Sequence, residues 1–134
     1  MTDENSTGQE TKTRRIDICN SHNIMVELWE RTSHTLTDEE LKWFSEATEH
    51  AEHGLISLKQ TLENIGSMVL NDAYLERGKQ AGNFRDNEDL PDLLFTIANS
   101  LDNIQGLIHV GNSADHRLKN PEHYRKLDEI KVVK

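Results

Sequence analysis

The 134-residue chain carries a formal net charge of −9 with 34% hydrophobic residues, which suits one domain with one modest core and is low for a compact monomer. Its one cysteine, Cys19, excludes an internal disulfide, agrees with a reducing, cytoplasmic setting, and reads as a small, partly buried hydrophobe. No stretch approaches the roughly 18 apolar residues of a membrane span, and no apolar run behind a basic start marks a secretory signal.

In chain order, residues 1–15 hold no apolar side chain after Met1 and read as a disordered tail; residues 16–134 read as a single helical domain. In "RRIDICNS", Ile16 and Ile18 alternate as in a short strand or an extended lead-in, with no second strand to pair. Ser21 can cap "HNIMVELWER", where Ile24, Met25, Leu28 and Trp29 fall at helical spacing.

The strongest periodicity follows. Leu41, Phe44, Thr48, Ala51, Leu55, Leu58, Leu62, Ile65 and Val69 alternate steps of three and four, which keeps one narrow stripe toward a partner helix. Thr37 and Glu40 form a capping box at its start. The spacing predicts a helix over about 38–71, with Gly78 as a left-handed cap if "DAYLERG" continues it. "GKQAGNFRDNE" is a loop. Leu90, Leu94, Ile97, Leu101, Ile104 and Ile108, opened by Pro91 between Asp89 and Asp92, predict a second helix over about 90–110. A last short helix begins at Pro121, with Tyr124, Leu127 and Ile130 available for packing.

The fold class is therefore all-α: a long antiparallel helical hairpin with short flanking N- and C-terminal helices, pairing as a dimeric four-helix-type bundle. Setting Val69 opposite Leu90 gives a register in which facing residue numbers total about 159. Leu55, Leu58, Leu62, Ile65, Leu94, Ile97, Leu101 and Ile104 form the seam. Gly54, Gly66, Gly106 and Gly111 within the helices either allow close approach or are merely tolerated at a cost of about 1 kcal/mol each.

"EATEHAEHG" (46–54) raises a metal site. Counted from Leu41 as heptad position a, His50 and His53 fall at c and f, off the seam, and His109 falls off it on the second helix. His50 is level with His109, and His50 with His53 is an i,i+3 pair able to share one ion. Neither Glu-x-x-His nor His-Glu-x-x-His occurs, so the bundle di-iron and zincin patterns are missing. Glu46 with His50 and Glu49 with His53 read more simply as i,i+4 pairs on a solvated face. Gly-x-Ser-x-Gly, the phosphate-binding loop and Cys-x-x-Cys are also missing, so no enzyme, cofactor or metal is expected. The alternative is a metal-binding or pH-sensing bundle on His50, His53 and His109.

Charge is more informative. Between Asp38 and Ile104 stand fourteen acids and five bases, while the rest of the chain balances at ten of each. Such a hairpin repels nucleic acid and attracts basic surfaces. The expected function is a non-enzymatic protein–protein interaction module, a homodimer docking on a basic, nucleic-acid-binding partner as an inhibitor or adaptor. In size and charge the chain resembles phage or mobile-element inhibitors, antitoxins and immunity proteins, though no family motif carries the likeness. Glu46, Glu49, Glu52, Glu63, Asp86, Glu88, Asp92 and Asp102 are the candidate partner contacts.

Overall fold

The structure, a computed structural model, describes residues 18–84 and 89–132. The tail expected over 1–15, the first half of the extended lead-in, and the candidate contacts Asp86 and Glu88 lie outside the described residues. Among these, all regular structure is helical: α1 Ser21–Thr32, α2 Asp38–Ser45, α3 Ala47–Ala73, α4 Asp89–Lys119 and α5 Pro121–Val132, with 3₁₀ turns at Ser33–Thr35 and Arg77–Lys79.

The cap of α1 is Asn20 rather than Ser21. Its side-chain oxygen accepts from the Asn23 N–H at 2.8 Å, and the Asp102 carboxylate on α4 accepts from the His22 N–H at 3.0 Å. Two of the helix's free donors are satisfied, one of them by a negative charge placed where the helix dipole favours it. Cys19, just before this cap, is exposed and not the partly buried hydrophobe expected.

The Thr37 capping box forms as read from the sequence. The Glu40 carboxylate accepts from the Thr37 N–H at 2.8 Å and from its hydroxyl at 3.0 Å. These bonds, the backbone one first, hold the Glu40 carboxyl below its usual range.

The long helix expected over 38–71 divides at Glu46. The Ser45 hydroxyl donates to the Lys42 carbonyl at 2.6 Å, taking the acceptor that the Glu46 N–H would use in a regular α-helix. That N–H turns instead to the Trp43 carbonyl at 3.2 Å, which tightens one turn toward 3₁₀ geometry. The far end also differs from expectation. α3 stops at Ala73, Gly78 lies in a 3₁₀ turn, and the left-handed glycine is Gly82, at φ 72°. Asp72 holds the loop by accepting from the N–H groups of Ala81 and Gly82 at 2.6 and 3.0 Å.

α4 runs nine residues beyond the expected end at 110, to Lys119, and every larger contact between layers includes it: α1, α2 and α3 all pack on it. Trp29, Leu41 and Ala114 form the buried core where α1, α2 and α4 meet, with Leu36, Phe44, Val110 and Leu118 around them. Gly106 and Gly111 are what allow this closeness. A Cβ on Gly106 would collide with the Met25 thioether, and one on Gly111 would stand 2.6 Å from the Thr48 backbone nitrogen.

Against α3, Gly111 of α4 meets Thr48, and Ile104 meets Gly54. These contacts fall within one residue of the register expected from the sequence. The face that closes is rotated from the expected seam, however. Ala51, Leu58, Ile65 and Val69 on α3, and Leu93, Ile97, Ser100 and Ile104 on α4, are buried or half-buried, whereas Leu55, Leu62, Leu90, Leu94 and Leu101 are exposed. Two helices cover only one stripe of each other, and a seam about 100° wide has room for more residues than one neighbour can bury.

Candidate partner-binding surface

The tightened turn at Glu46 sits at the mouth of a cleft of about 540 Å³ bounded by α1, the α2–α3 junction and α4. Met25, Phe44, Leu107 and Val110 are its apolar lining, and Trp43, Glu46, Glu49, His50 and His53 line it as well. The Trp43 ring meets Phe44 edge to face at 4.9 Å and is itself 67% exposed. Phe44 is held in turn by Trp29 at 5.8 Å. A fixed aromatic layer thus carries one exposed indole.

Of the acidic candidates, Glu46 and Glu49 are brought to this cleft. Neither makes an ion pair with another described residue, so the expected Glu46–His50 and Glu49–His53 pairs do not close. Glu52 and Asp92 are exposed elsewhere, and Glu63 lies 3.7 Å from Lys59. Asp102 is half-buried at the start of α1.

His50 and His53 line the cleft, whereas the His109 ring meets that of His22 at 6.2 Å. Among the described residues no group of three or more His, Cys, Asp or Glu side chains is close enough together to hold a metal ion, and no helix is long and apolar enough to cross a membrane.

A second groove, of about 610 Å³, separates α5 from the start of α2. Its two arginines are already engaged: Arg125 pairs with Glu122 at 2.8 Å, and Arg117, its side chain 11% exposed, pairs with Asp128 and lies 4.7 Å over the Tyr124 ring. The Tyr124 hydroxyl bonds His116 Nδ1 at 2.7 Å. This network serves to dock α5.

Trp43 is the residue that sequence reasoning missed. Its signal was present, because Trp43 and His50 share heptad position c, and Glu46 and His53 continue the same helical stripe at steps of three or four. No family model, curated protein or solved structure matches the chain.

Proposed function

We propose that this chain is a non-enzymatic interaction module that docks on a basic protein surface, with the cleft beside Trp43 taking a cationic side chain of that partner. The observation that carries this reading is the exposed Trp43 indole standing beside two carboxylates, Glu46 and Glu49, that lack ion-pair partners among the described residues. An indole face and nearby carboxylates favour an arginine or lysine head, while the apolar lining suits its methylene stem. The excess of acids between Asp38 and Ile104 steers such a partner and repels nucleic acid. The partner is of the nucleic-acid-binding kind, and the module acts on it as an inhibitor or adaptor in the cytoplasm, in the manner of antitoxins and immunity proteins.

The arrangement that suits this role is a long antiparallel hairpin paired with a second copy as a four-helix bundle. The alternative, a metal-binding or pH-sensing bundle on His50, His53 and His109, has less support because His109 turns to His22 while the other two line the cleft.

The test uses a fluorescently labelled octa-arginine peptide as probe, titrated at low and high salt. Binding should weaken steeply with salt. It should also fall about 5- to 30-fold in Trp43→Ala, the range a desolvated cation–π contact supports, and again in a Glu46→Gln, Glu49→Gln double variant. Equal binding by all three proteins would remove the cleft from the proposal.

A further inference from the structure

We propose that the exposed leucine face of α3 and α4, formed by Leu55, Leu62, Leu90, Leu94 and Leu101, is the seat of a second copy of this chain. The inference deepens the reading of the module as a homodimer by naming its interface, and it places that interface away from the acidic cleft.

These leucines belong to one surface. At about 100° per residue, Leu55 and Leu62 lie roughly 20–40° round α3 from Ala51, and Leu94 and Leu101 roughly 60–80° round α4 from Ile104, in the same rotational sense. Residue numbers rise along α3 as they fall along α4 at the Thr48–Gly111 and Gly54–Ile104 contacts. Equal rotation on two oppositely directed helices brings both rows to one side. α1 leaves that side open, since it packs on α4 at Asp102, Gly106 and His109, which point elsewhere round the helix. The first seventeen residues offer only Met1 and Ile16 as apolar side chains, too few to cover it.

Charge narrows the occupant. Along this side of α4, Leu90, Leu94, Ala98, Leu101, Gln105 and Ile108 carry none, while on α3 Glu52, Lys59 and Glu63 edge the leucines, with Lys59 3.7 Å from Glu63. The surface is thus apolar along α4 and of mixed sign along α3, which offers a basic partner little and a second copy of the same surface a match. An isologous contact adds the same leucine stripe from across a two-fold axis, turning two half-covered helices into a four-helix core.

The area agrees. The chain exposes 11450 Å². Setting aside the 23 residues outside the described segments at about 170 Å² each on the unfolded-chain scale leaves about 7,550 Å² for the described ones, against about 6,250 Å² for a compact monomer of their mass, an excess of about 1,300 Å². A stable interface covers about 800 Å² on each partner.

The test is sedimentation equilibrium of the full chain, with chelator, from about 1 to 200 μM. Wild type should reach twice 15.4 kDa. Leu94→Glu, at a site 55% exposed in the single chain, should keep its helical circular dichroism and raise the dissociation constant at least about 100-fold, because each dimer would bury two unpaired carboxylates. Phe95→Glu, 68% exposed on the far side of α4, should remain dimeric. A wild-type monomer throughout, a dimeric Leu94→Glu, or dissociation by Phe95→Glu alone would overturn the proposal. Hydroxyl-radical footprinting of wild type provides a check free of folding effects: Leu94 and Leu101 should gain protection with concentration and Phe95 should not, and the reverse pattern counts against this face. A monomer that still binds octa-arginine with salt dependence would reject this interface alone; a dimer that does not bind it would reject only the cleft.

Discussion

Thr48 and Gly111 touch backbone to backbone: a Cβ on Gly111 would stand 2.6 Å from the Thr48 amide nitrogen. Gly66, in the same helix as Thr48, has nothing within 4 Å of the equivalent point. The two glycines should therefore answer an alanine in opposite ways. Measured in the Leu94→Glu background, where the chain is a monomer, Gly66→Ala should stabilise by up to about 1 kcal/mol, the helix-propensity gain. Gly111→Ala should destabilise by about 1–3 kcal/mol, because overpacking outweighs that gain. Urea unfolding midpoints at fixed protein concentration will show the two signs.

Asp102 ties the start of α1 to α4 through the His22 N–H. Asp102→Ala should cost about 1–2 kcal/mol, the loss of a charged cap. Hydrogen exchange should quicken in α1 and remain unchanged in α5. Uniform quickening would mean that the residue supports the whole fold and not this one junction.

The carboxyl of Glu40 is held below its ordinary value of 4.5 by the backbone and side chain of Thr37. The unfolded chain therefore binds more protons than the folded one near that pH, and stability rises with pH there. The contribution of this carboxylate is complete above the unfolded value and is lost as the pH falls through the lower, folded one. The melting-temperature gap between wild type and Glu40→Gln should thus be open at neutral pH and narrow as the pH falls below 4.5. A gap that stays constant down to the acid transition would contradict the assignment.

α5 depends on Arg117, which pairs with Asp128 and stacks on Tyr124. Asp128→Ala leaves that guanidinium largely buried without its partner and should cost about 1–3 kcal/mol. Limited proteolysis should then cleave preferentially within 121–132 while the remainder of the chain survives. Arg125→Ala, which removes an exposed pair with Glu122, should change stability by no more than about 1 kcal/mol.

Local signals were legible in the sequence wherever the decisive partners are neighbours in the chain. The Thr37–Glu40 box, the start of α5 at Pro121 and the apolar periodicity of α3 and α4 all depend on residues three or four positions apart. The division at Glu46 was missed because it turns on one side-chain bond, Ser45 to the Lys42 carbonyl, competing with the backbone. The cleft was half-read: its acids and histidines were singled out, but their place beside Trp43 depends on where α1 and α4 pack.

By itself, then, the sequence determined the all-helical class, the capped start of α2 at Thr37, the α3–α4 register near Thr48 and Gly111, and the concentration of acidic charge between Asp38 and Ile104. Only the tertiary structure decided which stripe of each helix closes inward and which leucines stay exposed. It also decided that Asp102 caps α1 while Glu46 and Glu49 stay unpaired among the described residues. The physical reason is that hydrophobic periodicity specifies that a face will be buried, whereas its rotation depends on how closely two backbones can approach. Here Gly106 and Gly111 set that approach through Met25 and Thr48, contacts between residues far apart in the chain.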